Sequence, residues 1–318
     1  MKILVVGEFD PCGVHLRHRK YLRELGHDYR LAVNDCYRPE ARGADWWVND
    51  KTSDGLSGFY DRAGLLAFAM DADIIQVLPS IGQPWSFQDE KEFERIDLDL
   101  LDICRGRRVA CFHGSRNLAA NIDAYALHYR AHGFALVATT LDYVAKMNAG
   151  YLPSIVEDIG AAELKERGGP FKVAHSPTDP SQCSTGQFLE RAERACQVHY
   201  IRNLPHVACL ELKRRCHAAF DHLRGAFSVN SLENAAMGLV NLVAVRPEYR
   251  AFLEESLGVT LPFPNVQTMD DVMDALITFN DDHPAVAREQ VVHREWFLRE
   301  WTPMQNAKRI EAVYQGLL

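Results

Sequence analysis

No apolar run in this 318-residue chain approaches the length a helix needs to span a bilayer, so an integral membrane role is not expected. Positive charge is in deficit as well. With 35 Lys and Arg against 43 Asp and Glu the net charge is −8, which argues against a broad nucleic-acid-binding face. The eight cysteines (Cys12, Cys36, Cys104, Cys111, Cys183, Cys196, Cys209, Cys216) include no Cys-x-x-Cys pair and no zinc-like spacing. They read as reduced thiols rather than a disulfide framework, and no metal is expected. Met1-Lys2 leads straight into Ile3-Leu4-Val5-Val6 without a signal-peptide profile, so the expected location is the cytoplasm. The Gly-x-Gly-x-x-Gly fingerprint is missing too, which sets aside a nicotinamide or flavin cofactor. There is no internal repeat or low-complexity stretch.

What is present has the balance of a soluble globular protein, 47% hydrophobic and 25% charged, and is long enough for two domains. Buried-strand patterns at residues 3–6, 29–33, 45–48, 73–78, 108–112 and 135–140 alternate with helical patterns at 14–25, 65–70, 86–103 and from 141 onward. That order predicts a parallel, doubly wound α/β sheet with ligands at the carboxyl ends of its strands. The basic run His15, Arg17, His18, Arg19 and Lys20 at the start of the first helix calls for a compensating anion. Residues 157–170, polar and carrying Gly160, Gly168, Gly169 and Pro170, read as a linker. A second sheet begins at residues 171–174. Helices are expected at 185–196, 210–220, 247–257 and 269–279, and strands at 199–202 and 239–245. Trp296, Phe297, Trp301, Ile310, Val313 and Tyr314 then recur at helical spacing as core residues.

The stretch from Phe220 to Val245 concentrates the chemistry. Asn230 and Ser231 supply N-cap groups, Glu233 stands three residues after Asn230 as in a capping box, and Gly238 closes a short Ala/Met-rich helix. A helix N-terminus with free N–H groups suits a phosphate, and a carboxylate beside it can accept hydrogen bonds from a sugar diol. Lys213, Arg214 and Arg215, on the preceding helix, are expected to face solvent.

At Ser231-Leu232-Glu233-Asn234-Ala235-Ala236-Met237-Gly238 the chain resembles the donor-binding domain of GT-B-fold retaining glycosyltransferases of the glycosyltransferase group 1 type. The likeness extends to His175-Ser176-Pro177-Thr178, followed by Cys183-Ser184-Thr185, similar to the family's His-Ala-Pro-Ser/Thr loop and its Lys-Gly-Thr. It extends also to the strand ending in His113-Gly114. The resemblance implies a fold of two Rossmann-like domains. These are an acceptor-binding domain at 1–156, a nucleotide-sugar-binding domain at 171–295 after the linker, and a final helical segment at 296–318 that returns to the first domain. It also implies roles. Glu233 would hold the nucleotide ribose; Ser231, Leu232 and the helix start with Asn230, and the loop of His175, Ser176, Thr178, Cys183 and Ser184, would face the diphosphate. Arg202 and Asn203 would line the base, Gly13 the donor phosphates, and His113 the transferred sugar or the acceptor. Glu233 and His113 are the residues expected to matter for turnover.

Three positions depart from the family pattern. The diphosphate-binding lysine falls on Cys183, the first glutamate of the paired-glutamate motif on Gly225, and the Pro-Val after the helix on Val240-Asn241. Arg202, Lys213, Arg214, Arg215, Arg224 and the run from Arg17 are the available replacement cations. The expected function is sugar transfer from a UDP- or GDP-sugar co-substrate to a glycan, small-molecule or nucleic-acid acceptor, retaining and without a metal. One alternative is a non-catalytic GT-B-like protein that binds a nucleotide or glycan. Another is a glycosyltransferase acting on a modified nucleic-acid base.

Overall fold

The computed structural model describes residues 1–7, 13–33, 44–47, 62–79, 103–113, 122–162 and 170–318. All but residue 103 of the expected helix at 86–103, and residues 163–169 of the expected linker, lie outside that set. The chain forms two compact units, Met1–Ile155 together with Met304–Leu318, and Val156–Pro303.

The first unit is built on a parallel sheet of seven strands: β1 (Lys2–Gly7), β2 (Asp28–Val33), β3 (Trp46–Trp47), β4 (Ile74–Leu78), β5 (Arg107–Phe112), β6 (Ala135–Ala138) and β7 (Gly150–Tyr151), ordered β3-β2-β1-β4-β5-β6-β7. The continuous apolar runs are what a parallel sheet covered on both faces requires, and every residue of β4 is buried. Helices α1 (Val14–Glu24), α2 (Arg62–Met70), α3 (Ile122–Ala131) and α4 (Leu141–Met147) connect the strands. Gly13 caps α1 at φ 65°, a left-handed conformation that costs glycine little. The last helix of the chain, numbered α11 below, lends Ala307, Ile310 and Tyr314 to the core that holds Ile3, Val5, Ile74 and Val109. The Tyr314 hydroxyl donates to Gln76 Oε1 at 2.8 Å, which satisfies a buried amide oxygen of β4.

The second unit carries a four-stranded parallel sheet, β8 (Lys172–His175), β9 (Gln197–Tyr200), β10 (Ala218–Phe220) and β11 (Val240–Leu242), ordered β11-β10-β8-β9. Its helices are α5 (Thr185–Ala192), α6 (His206–Lys213), α7 (Val229–Met237), α8 (Pro247–Leu257), α9 (Met269–Asp281) and α10 (His283–Glu300), and α11 (Pro303–Leu317) follows in the first unit. Residues 210–220, expected as one helix, divide instead. Helix α6 ends at Lys213, and the apolar Ala218-Ala219-Phe220 pairs in register with both Val173–His175 and Val240–Leu242. The second unit also takes in Trp296, Phe297 and Trp301, where Trp296 stacks on Trp301 at 5.7 Å. The chain rejoins the first unit at Met304, later than residue 296 where the returning segment was expected to begin.

Asn241, one of the positions that depart from the family pattern, has a structural use. Its Oδ1 accepts from Asn234 Nδ2 at 2.9 Å, and its backbone N–H donates to His293 Nε2 at 3.3 Å. The imidazole can accept there because its Nδ1 donates to the Glu289 carbonyl. Burial holds His293 neutral, down to about pKa 4. This chain of hydrogen bonds ties α7, β11 and α10 together.

Candidate functional site

In the second sheet the strand order reverses direction between β8 and β10, and the crevice outside their carboxyl ends is the place where doubly wound sheets bind ligands. Ser176 follows β8 there and Asp221 follows β10. Helix α7 begins over the same edge, and its first turn is organised by Asp221, which is 4% exposed. The carboxylate accepts from Ser228 Oγ at 2.6 Å, Asn230 Nδ2 at 3.0 Å and the Ser231 hydroxyl. Burial opposes its ionisation, but His222, with Nε2 at 3.8 Å, and the three donors outweigh that, so its pKa lies below the usual carboxylate value.

The cap is placed differently from the expected one. Ser228, not Asn230 or Ser231, is the N-cap; its Oγ accepts from the backbone N–H of Asn230 at 3.1 Å and of Ser231 at 3.4 Å. The box closes through Ser231, whose Oγ accepts from the Ser228 N–H at 3.4 Å, and so Glu233 is released from capping. The reason is local. Asp221 holds the Ser228, Asn230 and Ser231 side chains in one orientation, which starts the helix at Val229. Leu232 is 1% exposed, its side chain is core, and its N–H makes a helical bond to the Ser228 carbonyl.

Glu233 points instead at α6. Its Oε1 lies 2.7 Å from Nε2 of the exposed His206, and its Oε2 is 3.5 Å from Lys213 Nζ. Lys213 is 1% exposed, contrary to the solvent-facing placement expected from its charged neighbours. The ammonium also donates to Asn230 Oδ1, and the Ser176 hydroxyl donates to the same oxygen at 3.1 Å. Ser176, Asn230, Asp221, Ser231, Glu233, Lys213 and His206 therefore form one connected polar group. Sequence reasoning missed His206, Asp221 and Ser228, and it named Lys213 as a possible replacement cation but not as a buried one. Lys213 sits within a Lys-Arg-Arg run that reads as a solvated face, and only its position at the end of α6, where the chain turns into the buried strand β10, distinguishes it.

The remaining expected residues scatter around this group. His175 is wholly buried, its Nδ1 donating to the Phe220 carbonyl at 3.0 Å and its Nε2 accepting from Thr185 Oγ1 at 2.8 Å. Thr178 is exposed beyond it. Ser184 caps α5 at φ 54°. Cys183 is buried, and burial together with the nearby Asp221 charge pushes its thiol up to about 11, so it is neutral and brings no cation. Arg202 lies over the Tyr200 ring at 5.9 Å, and Asn203 follows at φ 54°, both exposed. Among the possible replacement cations Arg214 is drawn away to the Ile159 carbonyl, whereas Arg224 is exposed close enough to Cys183 to favour its thiolate. Gly225 adopts φ 89°, and a Cβ there would meet Arg246 Nε at 2.6 Å, so the position aligned with a glutamate holds a left-handed turn with the Arg246 side chain across it.

In the first unit His113 follows β5 at the carboxyl edge but is 5% exposed. Its Nε2 lies 2.9 Å from His15 Nε2, and its Nδ1 is 3.0 Å from Thr139 Oγ1. His15 and His18 are both fully buried, so two of the five residues in the basic run are interior imidazoles. Arg19 pairs with Asp45 at 2.9 Å, the anion that the run called for. The Asp71-Ala72-Asp73 sequence, of the Asp-x-Asp form, faces the amino end of the sheet. There Asp71 pairs with the Lys2 ammonium and Asp73 accepts from the Lys2 N–H at 2.7 Å.

Solved structures align over nearly the whole chain. An alpha-glucosyltransferase in complex with UDP-glucose and DNA containing an abasic site superposes with a TM-score of 0.63 at 9% identity, covering 98% of both chains. A glycosyltransferase from Rickettsia africae ESF-5 gives 0.59 at 11% identity, covering 99% of this chain and 98% of that one. The chain has the GT-B fold. A mutant O-GlcNAc transferase from Thermobaculum terrenum also aligns, at a TM-score of 0.53 and 14% identity, over 99% of this chain and 67% of its own. By sequence, no family model and no curated protein matches. Among the described residues, no helix of this GT-B chain is long and apolar enough to cross a membrane.

Proposed function

We propose that this GT-B protein is a glycosyltransferase that binds a nucleoside-diphosphate sugar at the carboxyl edge of its second sheet and passes the sugar to an acceptor hydroxyl. The observation that carries the reading is the connected polar group at the β8/β10 switch point, with Glu233 held on one side by buried Lys213 and on the other by exposed His206. A carboxylate so placed accepts the ribose diol. His206, 61% exposed at its side chain, yields Oε1 to the incoming hydroxyls. Ser176 and Thr178, with the backbone of the following turn, face the diphosphate, and Arg224 supplies the charge that Cys183 lacks. Arg202 and Tyr200 border the base. The first unit takes the acceptor.

The transfer is retaining and needs no metal at the phosphate. The bond from the anomeric carbon to the phosphate oxygen breaks, the acceptor oxygen bonds to that carbon on the same face, and the acceptor proton passes to the departing phosphate. No side-chain nucleophile is required. The free thiols Cys104, Cys111, Cys183, Cys196, Cys209 and Cys216 fit a reducing compartment, and we place the reaction in the cytoplasm.

Thermal unfolding of the purified protein with UDP, GDP and their sugars tests the donor site, because a ligand held only by the native state raises its apparent stability. One nucleotide is expected to raise the Tm of the wild type, and Glu233→Gln is expected to lose that shift; the shift is read against the variant's own ligand-free Tm, which is expected to fall by about 6–12 °C because the buried Lys213 ammonium loses its carboxylate. An equal shift in both proteins would remove Glu233 from the site.

A second reading, nucleotide binding without turnover, draws on the neutral Cys183 thiol and on Gly225. Saturable binding with neither transfer nor donor hydrolysis would select it. The DNA-bound alpha-glucosyltransferase complexes raise a third, a modified base as acceptor. Binding to DNA that weakens steeply with added salt supports that acceptor, and a flat response rejects it.

A further inference from the structure

Three side chains that bind soft and borderline metals converge inside the first unit. Cys111 and His113 are two apart along β5 and its end, so they project from the same face of the sheet. His15, on the first turn of α1, meets them from above. The ligand atoms of all three lie within 4.8 Å of one another, and the residues are 0%, 0% and 5% exposed for His15, Cys111 and His113. We propose that His15 Nε2, Cys111 Sγ and His113 Nε2 form a buried site for a transition-metal ion of the zinc class.

The separations suit that set. Two imidazole nitrogens on one tetrahedral zinc are about 3.4 Å apart, and a nitrogen and a thiolate about 3.6 Å, from the usual bond lengths. Here Nε2 to Nε2 is 2.9 Å and Sγ to the His113 Nε2 is 3.8 Å, so an ion enters with shifts of about half an ångström. The outer partners are also in place. Tyr29 Oη lies 2.8 Å from His15 Nδ1, and Thr139 Oγ1 lies 3.0 Å from His113 Nδ1. With each Nδ1–H donated to a hydroxyl oxygen, both Nε2 lone pairs face the same point, which is how proteins commonly orient metal-binding imidazoles.

A third imidazole, His18, stands edge-on to His15 at 5.2 Å and is also wholly buried. Nitrogen and thiolate donors select zinc, cobalt or copper over magnesium or calcium. Uptake of a divalent ion releases the Cys111 thiol proton and leaves the filled site with one net positive charge. The site would pin α1 to β5 and is independent of the glycosyltransferase reading.

The test uses Co2+ as the probe on the full-length protein after dialysis against a chelator. One equivalent is expected to produce a thiolate-to-cobalt charge-transfer band together with d–d bands of tetrahedral intensity, and Zn2+ should bleach both. Cys111→Ser is expected to lose the charge-transfer band, and His15→Gln to weaken binding at least 10-fold, as ligand loss does. Circular dichroism must first show both variants folded without metal. If either is unfolded, Zn2+ protection of Cys111 from alkylation in the wild-type protein, read by peptide mass, replaces it. The half-buried His128 and the exposed His132, with ring centroids 4.4 Å apart, can also take up cobalt but add no thiolate band. Absence of the band in the wild type, its survival in Cys111→Ser, or unprotected alkylation would overturn the proposal.

Discussion

Replacing Lys213 with methionine removes the only charge on a side chain that is 1% exposed and leaves its partners in place. At 3.5 Å and an effective dielectric near 20, the attraction between Lys213 Nζ and Glu233 Oε2 is about 5 kcal/mol, and dehydration of the ammonium cancels most of it. One-sided removal is costlier than the net worth of the pair, because it strands the other partner; buried pairs broken in this way lose about 3–5 kcal/mol. Glu233 keeps His206 and its side chain is 12% exposed, so the lower end applies, about 3 kcal/mol. Asn230 Oδ1 loses the same ammonium but retains the Ser176 hydroxyl. Urea unfolding followed by tryptophan emission reads the change, since Trp296 and Trp301 are buried in the second unit. Adding Glu233→Gln to Lys213→Met should recover about 1.5 kcal/mol relative to additivity, a coupling typical of paired charges. A Lys213→Met midpoint that implies less than about 0.5 kcal/mol, or strict additivity in the double variant, would show that the ammonium is solvated and the pair incidental.

The alternation of apolar runs and helical patterns made the two parallel sheets legible, because strands covered on both faces must be apolar throughout. The Ser-Leu-Glu-Asn-Ala-Ala-Met-Gly run located α7 and its left-handed Gly238 for the same kind of local reason. What sequence could not supply was which side chain answers which. Asn230 and Ser228 are both good caps, and the choice between them is made by Asp221, which lies in the loop before the helix and binds both. Lys213 shares its charge with Arg214 and Arg215, and only the path of the chain into β10 turns it inward. His15 and His113 are 98 positions apart, and no spacing rule links them; the sheet order does, because it sets the carboxyl ends of β1, where α1 begins, and of β5 along one edge.

Three further outcomes follow from the geometry. Gly225→Ala should destabilise the protein by about 1–2 kcal/mol in urea unfolding, since φ 89° disfavours any side chain and the new Cβ displaces Arg246; an unchanged midpoint would mean that the turn relaxes freely. Ser228→Ala should cost about 1–2 kcal/mol through the lost cap and the vacated Asp221 oxygen, and Ser228→Thr should restore most of it; equal losses in both would deny the capping role. The last outcome concerns pH. His293 titrates at about 4 in the native protein because it is buried, against about 6.5 unfolded, so below pH 6.5 the unfolded chain takes up a proton that the native one refuses. The associated stability is complete above pH 6.5 and is lost as pH falls towards 4, by about 2.5 kcal/mol at pH 4.5. His293→Gln retains an oxygen that can accept from the Asn241 N–H and does not titrate. Its second-unit stability should therefore fall by about 2.5 kcal/mol less than the wild type between pH 7 and pH 4.5. Matching losses would show that His293 is protonated in the native state, and the Asn241 N–H would then need another acceptor.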